Sequence, residues 1–126
     1  MKERELWRKL RDELKDTWML DRIESGVSPG FPDVIAIYRK TGKVCFIELK
    51  TWKGANVIPK YGALHTSQRE WHMRATKANA NNYLLGVTKR DVYYIGQPDG
   101  MNFIEWIHLH ELKDVEEILL KGVNYV

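Results

Sequence analysis

Two short apolar runs joined by a polar turn constrain the fold of this chain more than any other feature. The runs cover residues 34–38 and 44–47, and residues 39–43 between them are polar and include a glycine. This pattern is typical of a β-hairpin. Charged residues stand directly beyond the outer ends of both runs. They are Asp33, before the first run, and Glu48 and Lys50, after the second.

The register of the hairpin decides whether these charges meet. A two-residue turn at Thr41-Gly42, or a four-residue turn at residues 40–43, would place Asp33 opposite Lys50. Directly opposed residues share a face, and side chains alternate along each strand. Asp33, Glu48 and Lys50 are therefore predicted to point to one side, with Asp33 and Glu48 on a diagonal of roughly 7–8 Å. A slip of one residue would turn Asp33 to the opposite face.

Two converging carboxylates and a lysine suggest a particular chemistry. Carboxylates without a partner repel each other, and the repulsion raises a pKa. A hard divalent cation such as Mg²⁺ relieves it and also takes water and phosphate oxygens as ligands. The cation activates water and stabilises charge on a phosphate, and a lysine can orient that water. The alternative is a plain surface salt bridge between Asp33 and Lys50, which would contribute little to stability.

Longer stretches of the sequence resemble a known family. Pro32-Asp33, fourteen intervening residues and then Glu-Leu-Lys at residues 48–50 resemble the PD-(D/E)XK nuclease signature. An ordered set of four blocks resembles the VRR-NUC family within it, in particular its small stand-alone versions typical of phages. The resemblance extends over about residues 1–96. The four blocks are Arg-Ile-Glu-Ser-Gly at 22–26, Gly-Phe-Pro-Asp-Val at 30–34, Phe-Ile-Glu-Leu-Lys at 46–50 and Ser-Gln-Arg-Glu-Trp at 67–71.

The resemblance implies a fold and an activity. The fold would be α/β, a mixed central sheet of four to six strands flanked by helices, with a restriction-endonuclease-like core. The activity would be that of a metal-dependent DNA endonuclease that hydrolyses phosphodiester bonds with Mg²⁺, for which Mn²⁺ can substitute. Stand-alone relatives are similar to Holliday-junction resolvases, so branched DNA and a homodimer are expected. The alternatives are a nuclease for flaps, single strands or plain duplex, a non-catalytic DNA-binding module, and a small structural protein.

The resemblance also assigns roles to individual residues. Asp33 and Glu48 would bind the metal ion, Lys50 would position or activate water, and Gln68 would support it.

Further acids are candidates for the same site. Glu24 would help to build the metal site, although it can equally be a loop carboxylate in water. The family often has a glutamate of its first helix near the metal, and Glu3, Glu5 and Glu13 are the candidates here. We prefer Glu5, because it directly precedes a Leu-Trp pair that is similar to the family's.

Basic residues downstream of the motif are typical of nucleic-acid binding. Residues 51–65 form a long irregular stretch in which Trp52 and Tyr61 alternate with lysines. Lysines meet phosphates and aromatic rings stack on bases, although each ring could instead pin the loop to the core. A helix predicted over residues 66–78, with Thr66 as its N-cap, would carry Arg69, His72 and Arg74 on a basic exposed side. The candidate DNA-binding residues are Arg22, Lys53, Lys60, Arg69 and Arg74.

The remaining pattern predicts one domain over residues 1–126. An amphipathic helix is expected at residues 3–16 and a strand at 18–23. After the helix at 66–78, strands are predicted at 83–88, 92–96 and 103–109, followed by a closing helix at 110–121. The order is therefore α-β-β-β-α-β-β, then a strand and a helix.

Composition narrows the possible partners. The net charge of +3 and the pI of about 9.0 favour an anionic partner. A single cysteine excludes an intrachain disulfide, and the four histidines lack zinc-site spacing. We find no signal peptide and no run of membrane-spanning length, so we expect a cytoplasmic protein (in the host cytoplasm if phage-encoded) with no membrane partner and no small-molecule cofactor.

Overall fold

The computed structural model describes residues 1–23, 28–54, 57–98 and 103–122. Its core is one six-stranded sheet with neighbours in the order β1-β2-β3-β4-β5-β6. The helices are α1 (Glu3–Leu14), α2 (Thr66–Lys77) and α3 (Val115–Lys121), with short 3₁₀ turns at Lys60–Ala63 and Leu112–Asp114. The strands are β1 (Trp18–Arg22), β2 (Val34–Tyr38), β3 (Val44–Trp52), β4 (Asn81–Thr88), β5 (Tyr93–Pro98) and β6 (Phe103–Leu109).

The sheet is mixed, because β3 and β4 are parallel and every other neighbouring pair is antiparallel. A parallel pair needs a crossover, which α2 supplies between these two central strands. The predicted fold class and element order are confirmed. The predicted N-cap was wrong by one residue, because His65 has the extended backbone of an N-cap and Thr66 is already helical.

The two faces of the sheet are covered by different helices. The leucine stripe predicted for α1 is confirmed, since Leu6, Leu10 and Leu14 are buried in one apolar cluster with α3 and the odd-numbered residues 45–49 of β3. Full burial of a leucine side chain contributes about 1.5–3 kcal/mol. The even-numbered residues of β3 face α2, where Phe46 meets Trp71. The face that carries Glu48 and Lys50 is therefore the one beneath α2.

The hairpin register differs from the expected one by two residues. Val34 pairs with Ile47, which brings Asp33 level with Glu48 rather than with Lys50. The turn consists of residues 39–42, because the Tyr38 N–H donates to the Lys43 carbonyl at 2.8 Å. Gly42 closes this turn in a left-handed conformation, with φ of +77°. An even shift preserves the face, so Asp33, Glu48 and Lys50 still point to the same side.

None of the helices in the described ranges is both long and apolar enough to cross a membrane.

Candidate active site

Asp33 directly precedes β2, and its side chain is hydrogen-bonded to the neighbouring strand β3. Its Oδ2 atom accepts a hydrogen bond of 2.8 Å from the backbone N–H of Leu49. Leu49 separates Glu48 from Lys50 in β3, and the side chains of these two residues share one face of the sheet. The Asp33 carboxylate is therefore held between the two other residues of the motif.

Gln68 joins the acid and the base of β3. Its Nε2 donates to Glu48 Oε2 at 3.3 Å, and its Oε1 accepts from Lys50 Nζ at 3.1 Å. The same Oε1 accepts from the backbone N–H of His65 at 2.9 Å, which fixes the glutamine in the first turn of α2. The predicted proximity of Gln68 to Lys50 is thus present in the structure, and the glutamine holds both charged groups in place.

Glu48 is a buried acid, with only 2% of its surface exposed. Burial, then a hydrogen bond with Asp33 and the charge of Asp33, raise the pKa of Glu48 to about 10, and Lys50 opposes this rise. Glu48 consequently favours its protonated form at neutral pH. Its Oε1 accepts no hydrogen bond from the described residues.

These donors fit a hard divalent cation. Two carboxylates that lie against each other offer oxygen ligands, and a cation would relieve the repulsion that raises the pKa of Glu48. Glu48 Oε1 is buried and accepts no hydrogen bond from the described residues, so it is the Glu48 oxygen available to such a cation. Among the described residues no three His, Cys, Asp or Glu side chains form a metal-binding group. A cation bound by these residues would therefore complete its shell with water or phosphate oxygens.

Among the candidate acids of α1, Glu3 lies beside Asp33, whereas the structure leaves the preferred Glu5 on the surface. Burial and the charge of Asp33 raise the pKa of Glu3, and it forms a hydrogen bond with Asp33. Glu5 is exposed. The helical period explains the difference, because Glu3 precedes the buried Leu6 by three residues and lies on the stripe that faces the sheet. This spacing was visible in the sequence.

Gly30 and Phe31 bring the first turn of α2 to the site. Gly30 has φ of +80°, and a Cβ atom there would lie 2.1 Å from the Ser67 carbonyl oxygen. The ring of Phe31 packs edge-on against Trp71 at 5.2 Å and against Phe46 at 5.9 Å between centroids. The segment before Asp33 thereby holds the turn that carries Gln68.

His72 is fully buried, so the prediction that it lies on an exposed basic side of α2 was wrong. Asn82 Nδ2 donates to the Pro98 carbonyl at 3.0 Å and lies 3.0 Å from His72 Nδ1. Since an amide nitrogen only donates, Nδ1 is the acceptor and Nε2 carries the hydrogen. Burial lowers the pKa of His72 to about 4, and the charge of Asp33 opposes this. The ring is therefore neutral and belongs to the packing between α2 and the sheet.

The other candidates lie around this centre or outside the described residues. Glu24 falls in the range 24–27, which the structure does not describe. Arg22 Nη2 lies 3.8 Å from Glu3 Oε1, so this candidate for DNA binding forms an ion pair with an acid of α1. Arg69 stacks over the Tyr61 ring. Lys53, Lys60 and Arg74 are exposed.

No protein-family model matches the sequence, and no curated protein matches it either. Solved structures do match the fold. A VRR_NUC domain is 20% identical, with a TM-score of 0.52, and the match covers 70% of this chain and 86% of that domain. Hjc, a Holliday junction resolvase from the archaeal hyperthermophile Archaeoglobus fulgidus, is 22% identical with a TM-score of 0.53. That match covers 92% of this chain and 98% of Hjc. The predicted likeness to VRR-NUC and resolvase structures is thus confirmed for the fold.

Proposed function

We propose that this protein is a metal-dependent DNA endonuclease that hydrolyses phosphodiester bonds, with branched DNA such as Holliday junctions as its preferred substrate. The observation that carries the proposal is the buried Glu48, which lies against Asp33 and is bridged by Gln68 to Lys50. A salt bridge alone would not require a buried second carboxylate. The similarity to the fold of Hjc supports the choice of substrate.

Asp33 and Glu48 would hold Mg²⁺, or Mn²⁺ in its place, and Glu3 and Glu24 are further acids for the same site. The bound cation would activate water and stabilise the charge that develops on the phosphate. Gln68 holds the ammonium group of Lys50 near the carboxylates, so Lys50 is placed to orient the attacking water. One P–O bond forms to the water oxygen, and one P–O bond to the leaving alkoxide breaks.

The basic residues would contact the DNA backbone. Lys53, Lys60, Arg69 and Arg74 lie on α2 and the segment before it, and Arg22 lies beside Glu3. Contacts to phosphate position DNA without reading its sequence. A homodimer with two such sites would cut the two strands of a junction symmetrically. The cytoplasm is the compartment we propose for this activity.

A panel of substrates tests the proposal. Four-way junction, flap, duplex and single-stranded DNA are each incubated with Mg²⁺ and, separately, with EDTA. We expect cleavage of the junction in Mg²⁺, no cleavage in EDTA, and loss of cleavage in Lys50→Ala while the circular dichroism spectrum is unchanged. The assignment would be overturned if none of the four substrates were cleaved, or if cleavage continued in EDTA.

Two further measurements address the metal ion and the dimer. Mg²⁺ or Mn²⁺ should raise the Tm of the parent but not of Asp33→Ala, which reports binding without turnover. Light scattering after gel filtration should give twice the chain mass of 14.8 kDa. If only one protein chain were bound to each junction DNA, the symmetrical mechanism would be contradicted.

A further inference from the structure

Close to the candidate active site, Trp52 anchors the segment between β3 and α2 to the core. The indole Nε1 of Trp52 donates to the Gly62 carbonyl at 3.0 Å. A Cβ atom on Gly86 would lie 2.3 Å from the Trp52 ring, so the indole packs directly onto β4. Leu64 is buried beside it. Trp52 therefore pins this segment to the core, whereas Tyr61 remains half-exposed.

Three consecutive residues of this segment adopt the left-handed conformation. Tyr61 has φ of 54°, Gly62 of 62° and Ala63 of 63°. For residues other than glycine this conformation costs about 1–2 kcal/mol each, and it persists where the surrounding structure imposes it. The strained conformation sets the direction in which the Tyr61 side chain leaves the backbone.

Two cationic side chains lie over the ring of Tyr61. Arg69 Cζ lies 4.1 Å from the ring centroid and Lys60 Nζ lies 5.2 Å from it. Cations are attracted to aromatic rings, and a stacked guanidinium is held flat with its N–H groups at the edge of its plane. Such a group binds phosphate oxygens in a bidentate manner.

The cluster adjoins the catalytic candidates through the chain itself. Arg69 directly follows Gln68, whose side chain accepts from Lys50 Nζ and donates to Glu48. The repeating anion of the proposed substrate is the DNA phosphate.

We propose that Lys60, Tyr61 and Arg69 form a clamp for the DNA backbone, in which Tyr61 is the positioning residue that orients the cations. The clamp holds phosphates next to the scissile one and is independent of base sequence. The clamp rests on the proposed nuclease function, and it would align the substrate strand with Lys50 and Glu48.

The test measures binding without turnover. A fluorescein-labelled duplex of mixed sequence is titrated by anisotropy in Ca²⁺ instead of Mg²⁺, at several salt concentrations. Arg69→Gln should weaken binding about tenfold and make the slope of log K against log salt shallower by about 0.9. Tyr61→Asn removes the ring while favouring the left-handed backbone, and it should weaken binding about threefold at unchanged net charge.

Two controls separate the clamp from general charge. Tyr61→Phe keeps the ring and should bind as the parent does. Lys40→Gln removes one positive charge from the exposed hairpin turn at the opposite end of β3 and should change the affinity less than twofold. Circular dichroism confirms that each variant is folded.

The clamp is overturned if Tyr61→Asn and Arg69→Gln bind as tightly as the parent, or if Lys40→Gln weakens binding as much as Arg69→Gln does. A parent that shows the expected binding pattern but cuts none of the four substrates would overturn the nuclease function and leave the clamp intact. A parent that binds no DNA at low salt would overturn both.

Discussion

Asp33 Oδ2 lies 2.8 Å from the backbone nitrogen of Leu49, so the carboxylate directly before β2 is anchored to β3 between Glu48 and Lys50. The contact joins backbone to side chain, and it holds whatever the protonation state of Glu48. Since an amide could accept the same hydrogen bond, we expect the site to require the charge of Asp33 as well as its shape.

Asp33→Asn tests this requirement. The amide oxygen can still accept from Leu49, but it is a weaker metal ligand than a carboxylate, so we expect cleavage to fall by at least about 10²-fold with the fold retained. Junction cleavage in Mg²⁺ and urea unfolding are the measurements. Asp21→Asn, at an exposed position of β1, is the matched control and should retain full activity. Equal activity of the two variants would contradict the assigned role.

Gly30→Ala tests the contact that holds α2 in place. Its Cβ would lie 2.1 Å from the Ser67 carbonyl oxygen, at a φ of +80°. We expect a loss of about 3 kcal/mol in the free energy of unfolding and slower cleavage, because the turn that carries Gln68 must move.

Gly42→Ala is its control. Gly42 has φ of +77° but nothing lies within 4 Å of an added Cβ. The loss should be about 1 kcal/mol, from backbone strain alone, with activity unchanged. Similar losses in the two variants would mean that the Ser67 contact is unimportant.

Glu48→Gln should stabilise the metal-free protein. The pKa of Glu48 is raised from 4.5 to about 10, so the folded state binds this proton more tightly than the unfolded state. The resulting stability is fully present below pH 4.5 and declines as pH rises towards 10. At pH 7.5 in EDTA the variant should therefore be more stable than the parent by about 4 kcal/mol, with little difference at pH 4. Urea unfolding at the two pH values measures this, and a variant that is less stable at pH 7.5 would refute it.

His72 should titrate far below the ordinary range of histidine. Burial lowers its pKa from 6.5 to about 4, so the ring stays neutral where an exposed ring would gain a proton. The stability associated with this neutral ring is lost as pH falls from 6.5 towards 4, because the unfolded chain is protonated first. The ring resonances, assigned with His72→Gln, give the midpoint by NMR. A midpoint near 6.5 would show that the ring is not buried.

Glu3→Gln and Glu5→Gln form a matched pair within α1. Glu3 is hydrogen-bonded to Asp33, whereas Glu5 is exposed. We expect Glu3→Gln to weaken Mg²⁺ binding, measured as the Tm shift on adding the ion, and to slow cleavage several-fold. Glu5→Gln should match the parent in both measurements. The reverse result would restore Glu5 as the acid of α1.

Much of the architecture follows from local patterns. The leucine spacing of α1 and the apolar runs of β2 and β3 predict the observed elements, because burial imposes periods of 3.6 and 2 on the sequence. The resemblance led to Gln68, which the structure places against Lys50 and Glu48. The burial of His72 was missed because a histidine near Arg69 and Arg74 on one helix suggested an exposed basic side. Its partner Asn82 is ten residues away, on β4.

The order of the elements and the shared face of Asp33, Glu48 and Lys50 follow from the sequence alone, because strand alternation survives any even shift of register. Three relations became clear only from the packing of the elements. Asp33 stands level with Glu48, Glu3 of α1 lies beside Asp33, and Gln68 bridges Glu48 and Lys50. These relations depend on how the turn at Gly42 closes and how Gly30 packs on Ser67. The first is a choice between turns that the polar stretch leaves open, and the second is a contact between two segments whose separate patterns do not encode each other's position.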